Sequence, residues 1–136
     1  MRRPVIQAGF TLIEVMVVVV ILGILAAMIV PKIMGKPDEA RKTTAKSDIR
    51  TIEQALEMYR LQNYTYPDTE QGLNALVTKP EGAKNWQKGG YLKRVPKDPW
   101  GNNYKYLSPG VRSDIDIYST GPDAQNQDDD IGNWNL

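Results

Sequence analysis

The sequence contains neither cysteine nor histidine. Without cysteine there is no disulfide, no thiol nucleophile and no cysteine metal site. Without histidine the commonest general base and transition-metal ligand is missing as well. The chain has 17 lysine and arginine residues and 16 aspartate and glutamate residues, so its net charge is close to zero. This balance argues against a nucleic-acid binder. The remaining residues show no catalytic constellation, so we expect no enzyme.

One long apolar run, "GFTLIEVMVVVVILGILAAMIVP", fills residues 9–31 and has no charge between Val15 and Val30. As a helix, the stretch from Phe10 to Val30 would be about 31 Å long, which matches a hydrocarbon core of about 30 Å. A helix is predicted because an isolated strand in lipid leaves its backbone unpaired. Three interpretations are open: a cleavable signal peptide, a permanent membrane anchor, and a helix that first inserts in the membrane and later joins a filament.

Glu14 is the one acidic residue in this run. A charge at mid-bilayer costs roughly 2.5–3.5 kcal/mol, although Glu14 lies near the end of the span. The carboxylate could simply favour the positive end of the helix dipole. Alternatively, a cut between Gly9 and Phe10 would create an α-amine, which is mostly positive at neutral pH. The spacing leaves open whether Glu14 would pair with its own terminus or with that of a neighbouring chain.

A short basic leader ending in glycine, then "FTLIE" and a long apolar helix, resembles the class III signal of type IV pilin-like proteins. Three further blocks resemble the major pseudopilin family of the type II secretion system: "YPDTEQGLNALVTKP" (66–80), "GGYLKRVPKDPWGNNYKYLSPG" (89–110) and "DIGNW" (130–134). The resemblance implies that a prepilin peptidase cuts between Gly9 and Phe10 and methylates the new N-terminus of Phe10. It also implies that Glu14 neutralises the amine of an adjacent subunit during assembly.

The resemblance further implies an α+β, type IV pilin-like fold, in which a long, partly transmembrane N-terminal helix packs on a small antiparallel β-sheet. The expected divisions are a leader at 1–9, a transmembrane or filament-core helix at 10–31, and a periplasmic globular domain at 32–136 that includes the C-terminal half of the long helix. The precursor would be a single-pass protein of the bacterial inner membrane. The implied function is that of a structural subunit of the periplasmic pseudopilus, which drives export of folded exoproteins across the outer membrane. A type IV pilin used for adhesion, motility or DNA uptake is the alternative.

The implied partners are other copies of the chain in a homopolymer, minor pseudopilins, the prepilin peptidase, the inner-membrane assembly platform and exoprotein substrates. The precursor would also contact the membrane, and no nucleic acid is expected.

Periodicity predicts the elements of the globular part. Residues 38–63 form an amphipathic helix whose buried face comprises Ala45, Ile49, Ile52, Leu56 and Tyr59. A short helix is predicted from about Thr69 to Val77, capped by Asp68 or Thr69, with Leu73, Leu76 and Val77 inward. Strands are predicted at about 103–107 and 114–120, joined as a hairpin. In the second strand Ile115 and Ile117 face inward, and Asp114 and Asp116 form a wet face. Trp100 is expected to anchor the core.

An acidic loop, "TGPDAQNQDDDIGNW", lies at 120–134. Its four aspartates repel one another unless they are solvated or bridged by a cation, and the spacing differs from that of an EF-hand. Spacing alone favours a solvated turn, whereas the resemblance implies a structural Ca²⁺ site. The implied side-chain ligands are Asp123, Asp130 and Asp129, with Asp128 as the alternative to Asp129. Backbone oxygens of Thr120 and Gln125 would complete the shell.

Overall fold

The computed structural model describes residues 8–34 and 36–136. Its internal contacts divide the chain between Pro37 and Asp38 into two compact units. The predicted α+β architecture is confirmed, since a long apolar N-terminal helix is followed by a small three-stranded antiparallel sheet. Residues 1–7 of the predicted leader lie outside the described residues.

The N-terminal unit contains helix α1, Leu12–Met34. Pro31 lies inside this helix and does not end it. The stretch Leu12–Ile29 has a mean hydropathy of 3.0, and none of it is buried. Its length and composition suit a membrane crossing, although a signal sequence near an N-terminus has the same properties. An apolar surface of this size needs lipid or other protein to cover it.

Helix α2, Lys36–Asn63, carries one side of the hydrophobic core. The face predicted from helical periodicity is confirmed, because Ala45, Ile49, Ile52, Leu56 and Tyr59 are all buried. Ala55 of α2 is buried as well, and the remaining buried apolar residues lie farther along the chain: Leu73, Ala75, Leu76, Tyr104, Tyr106, Ile115, Ile117 and Ile131. Trp100 is half-buried against this core, as expected. The Tyr104 hydroxyl also donates a hydrogen bond to the Asp48 Oδ2 of α2, at 2.8 Å.

The sheet has the order β1-β2-β3, with β1 at Lys105–Leu107, β2 at Asp116–Ser119 and β3 at Ile131–Gly132. The first two strands form the predicted antiparallel hairpin, in which Leu107 pairs with Asp116. Both are shorter than predicted. The third strand was not predicted, because two residues are too few to show an alternating pattern. Its pairing of Ile131 with Ser119 brings the chain end back beside β2.

The predicted short helix at 69–77 is wrong in type and length, since only Leu73–Leu76 forms a 3-10 helix. Gly72, at φ 59° and ψ −166°, breaks any α-helix that begins earlier. Asp68 does cap the preceding turn, because its Oδ1 accepts a hydrogen bond from the Gln71 N–H at 2.7 Å. Within the 3-10 helix Ala75 is buried, whereas Val77 beyond it is only half-buried.

The wet face predicted for Asp116 is also wrong, because this side chain is only 2% exposed. Its carboxylate accepts hydrogen bonds from the backbone N–H groups of Val111, Arg112 and Ser113. Gly110 permits the close approach, since a Cβ there would lie 2.7 Å from Asp116 Oδ1. The loop between β1 and β2 therefore folds around Asp116, which organises the hairpin instead of facing water.

Candidate processing and cation-binding sites

Gly9 and Phe10 lie in irregular backbone just before α1, and both are exposed. A Cβ built at Gly9 would meet nothing within 4 Å among the described residues. The local structure therefore does not require glycine at this position. The Gly9–Phe10 peptide bond is exposed and non-helical, so a peptidase could reach it. Because the fold does not need glycine at position 9, this residue is consistent with recognition by such a peptidase.

Glu14 forms a reciprocal cap at the start of α1. Its Oε2 accepts hydrogen bonds from the Thr11 N–H at 3.2 Å and the Thr11 hydroxyl at 3.3 Å. In return, the Glu14 N–H donates to Thr11 Oγ1 at 3.3 Å. This Thr-x-x-Glu arrangement is a capping box, a motif that glutamine also supports at the acidic position. The Thr-x-x-Glu spacing is visible in the sequence, but the capping box was not predicted. Only the helix dipole and an α-amine were named as partners of Glu14.

The acidic loop connects β2 to β3 and contains a 3-10 helix, Gln127–Asp129. All side chains from 122 to 128 are exposed, including those of Asp123, Gln125 and Asp128. The loop is held by local hydrogen bonds. Asp123 Oδ1 accepts from the Gln125 N–H at 3.0 Å, and Asp129 Oδ2 accepts from the Asn126 amide at 3.3 Å. Because the loop has so little apolar packing, any further interaction that links its two ends would make it more ordered.

Gly121 brings the two ends of this loop together. Its φ of 67° lies in the left-handed region that favours glycine. A Cβ at this position would lie 2.7 Å from the Asp129 backbone oxygen, so a larger residue would force the ends apart. Thr120 and Asp129, two of the implied cation ligands, therefore lie on segments in close contact.

Asp129 and Asp130 are half-buried. Burial raises the pKa of Asp130 above its ordinary value; the positive charge of Arg112 lowers it in part, and the charge of Asp129 raises it further. Across residues 8–34 and 36–136, no group of three or more His, Cys, Asp or Glu side chains lies close enough together to hold a metal ion. The donor types nevertheless fit Ca²⁺, which takes carboxylate and backbone oxygens from flexible loops.

Asp98 and Ser119 adjoin the loop and were not predicted as functional residues. Both are buried, at 4% and 0% exposure, and the Ser119 hydroxyl donates to Asp98 Oδ2 at 2.6 Å. Ser119 Oγ in turn accepts from the Gly121 N–H at 3.1 Å. No sequence pattern indicated this pair, because the two residues lie 21 positions apart.

Two known protein families match segments of this chain. Residues 6–30 match the prokaryotic N-terminal methylation motif. A chain with this motif, an apolar N-terminal helix and a small antiparallel sheet is a pilin-like protein. Residues 32–134 match the family described as type II secretion system (T2SS), protein G. The chain belongs to this family.

Individual relatives carry the same family name. The chain is 58% identical over 135 residues to the type II secretion system core protein G of Pseudomonas aeruginosa, covering 94% of this chain and 95% of that protein. It is 54% identical over 136 residues to the core protein G of Vibrio cholerae, covering 96% and 93% respectively. The crystal structure of the major pseudopilin from the type 2 secretion system of enterohaemorrhagic Escherichia coli has a TM-score of 0.70 at 51% identity, covering 76% of this chain and 94% of that one. These relatives favour a pseudopilin over a type IV pilin.

Proposed function

We propose that this chain is a structural subunit of the periplasmic pseudopilus, inserted first in the inner membrane and then polymerised to drive export of folded exoproteins. The main observation is α1, whose stretch Leu12–Ile29 is strongly apolar and wholly exposed in the single chain. Lipid covers this surface in the precursor, and the helices of neighbouring subunits cover it in the filament. The role is structural, and no catalytic activity is proposed.

The partners follow from this sequence of events. The prepilin peptidase cuts between Gly9 and Phe10 and methylates Phe10. The inner-membrane assembly platform then adds the subunit to a homopolymer that minor pseudopilins complete. The domain at 32–136 lies on the periplasmic side, where the finished filament meets its exoprotein substrates.

Processing is tested by the intact mass of the membrane form. We expect a chain that lacks residues 1–9 and carries one added methyl group. The control is the same chain expressed in cells without the prepilin peptidase, where the full 136-residue mass is expected. An uncut chain in cells that contain the peptidase would contradict the processing proposal.

We also propose that the acidic loop binds a structural Ca²⁺ ion through Asp123, Asp130 and Asp129, with Asp128 as the alternative to Asp129. Backbone oxygens of Thr120 and Gln125 complete the ligand set. Calcium, when bound, neutralises the crowded carboxylates and links the two ends of the loop. The close contact at Gly121 and the half-burial of Asp129 and Asp130 support this assignment.

Calcium should raise the melting temperature of the full-length chain in detergent, because a ligand that binds only the folded state stabilises it by about 2.7 kcal/mol at a hundredfold excess over Kd. Asp123→Ala should abolish this shift. Asp114→Ala is the matched control, since it removes an exposed carboxylate outside the loop, and it should keep the shift. An identical melting temperature for the parent chain in calcium and in chelator would contradict the calcium site.

A further inference from the structure

We propose that Asp98 and Ser119 are positioning residues for the acidic loop, fixing the direction of the Thr120 carbonyl before a cation binds. This inference rests on the calcium site proposed above, and it assigns a role to two buried polar residues that are not among the proposed ligands. A continuous series of hydrogen bonds joins the turn at Asp98 to the start of the loop.

The Asp98 carboxylate is fixed by its own turn. Its Oδ1 accepts hydrogen bonds from the Trp100 N–H at 3.1 Å and the Asn102 N–H at 2.7 Å. The turn is closed by two backbone bonds, from the Asp98 N–H to the Asn102 carbonyl and from the Gly101 N–H to the Asp98 carbonyl. A buried carboxylate held by two backbone donors has little freedom to rotate, so Oδ2 presents a fixed acceptor to Ser119.

That acceptor determines what the Ser119 hydroxyl can do. A serine hydroxyl has one proton to donate and two lone pairs with which to accept. The proton goes to Asp98 Oδ2 at 2.6 Å, in a bond strengthened by the carboxylate charge. Ser119 Oγ is then available as an acceptor, and it takes the Gly121 N–H at 3.1 Å. Asp98 thus sets the direction of the hydrogen bond that reaches the loop.

The Gly121 N–H and the Thr120 carbonyl belong to the same peptide group. A trans peptide is planar, and its N–H and C=O point in opposite directions. The hydrogen bond to Ser119 therefore directs the Thr120 carbonyl away from the buried serine. This carbonyl is one of the proposed backbone ligands, so its orientation is already set before any cation binds.

Removing the Ser119 hydroxyl would free this peptide group to rotate and leave the Gly121 N–H and Asp98 Oδ2 without their shared partner. Groups that orient metal ligands typically change metal affinity by about 10- to 100-fold when mutated. A purely structural serine would instead lower stability and leave the affinity for calcium unchanged. The two roles are therefore separated by measuring calcium affinity and calcium-free stability on the same variants.

The experiment uses the full-length chain in detergent, with calcium Kd measured by isothermal titration and stability measured by thermal unfolding in chelator. Ser119→Ala should weaken calcium binding about tenfold or more. Asp98→Asn is a second variant. Its Oδ1 can still accept the hydrogen bonds of the turn, but its Nδ2 cannot accept the Ser119 proton. This variant should weaken calcium binding at least about threefold. Tyr106→Phe is the matched control, since it removes a buried hydroxyl that donates to the Pro67 carbonyl at 2.8 Å, away from the loop.

We expect all three variants to melt at a lower temperature in chelator, with only the Asp98 and Ser119 variants binding calcium more weakly. A Kd within twofold of the parent for Ser119→Ala, or for Asp98→Asn if the alanine variant does not fold, would overturn the positioning role and leave the calcium site standing. A folded parent chain that binds no calcium would overturn the site and the positioning role together.

Discussion

Replacing Glu14 by alanine should leave cleavage after Gly9 intact and stop filament assembly. In the proposed filament, the carboxylate neutralises the amine that cleavage creates on Phe10 of an adjacent subunit, among apolar helices. Removing one partner of a buried ion pair typically costs about 3–5 kcal/mol. Because this cost recurs at every subunit, the polymer should fail even though each subunit remains folded. The measurements are intact mass for cleavage and electron microscopy for filaments.

The capping box provides an alternative explanation that a second variant tests. Glu14→Gln keeps a side chain that can accept from Thr11 but removes the charge. If the charge matters, the glutamine and alanine variants should both fail to assemble. Thr11→Ala is the matched control, since it breaks the cap and keeps the carboxylate; it should assemble nearly normally. Normal filaments from Glu14→Gln would assign the role of Glu14 to the helix cap and remove the ion pair from the proposal.

Helix α2 shows how much of the fold could be predicted from sequence. Five of its buried residues were predicted individually, because apolar side chains three and four positions apart lie on the same side of a helix. The hairpin of β1 and β2 was also predicted, since the intervening turn residues allow an antiparallel return. Both predictions use only the spacing of residues close in sequence, and that spacing can be read directly from the pattern.

The wrong and missed predictions occur where the structure is determined by a feature that hydrophobic periodicity does not show. Asp116 alternates with isoleucines and was therefore placed on a wet face, but three N–H groups from its own loop surround it. Strand β3 is too short for a pattern, and it forms because Ile131 can pair with Ser119 across the acidic loop. Gly72 interrupts a segment whose leucine spacing resembles a helix. Backbone hydrogen bonding overrides the hydrophobic pattern at Asp116 and β3, and the backbone conformation of Gly72 does so in the segment before the 3-10 helix.

Some residues of the candidate sites could be predicted from local sequence, and others could not. Gly9, Phe10 and Glu14 are contiguous enough for a motif to identify them, and the aspartates of the loop stand out by their density. The chain from Asp98 through Ser119 to Gly121 could not be predicted, because it joins residues 21 positions apart. A buried serine between an aspartate and a backbone N–H leaves no compositional signal. The calcium ligand set remains a prediction.

Asp116→Ala should destabilise the globular unit by about 2–3 kcal/mol, because hydrogen bonds to a charged group contribute about 1.5–3 kcal/mol and the freed N–H groups are partly accessible to water. Unfolding in urea can be followed by tryptophan fluorescence in the full-length chain, since Trp86, Trp100 and Trp134 all lie in this unit. Asp114→Ala is the matched control, because Asp114 is the exposed neighbour in the same hairpin. It should cost less than about 0.5 kcal/mol, as for an ordinary surface change.

The pH dependence isolates the Asp116 carboxylate from the general effect of the mutation. Burial alone would raise the pKa of Asp116, but the hydrogen bonds from Val111, Arg112 and Ser113 outweigh it and bring the pKa below its ordinary value of 3.8. A group with a lowered folded-state pKa stabilises the fold fully above its unfolded value and loses this contribution as pH falls through the folded value. The parent chain should therefore lose more stability than Asp116→Ala between about pH 5 and pH 2. Because the other carboxylates titrate in both chains, the difference between them belongs to Asp116. Parallel stability curves for the two chains over that range would show that the carboxylate charge does not hold the hairpin.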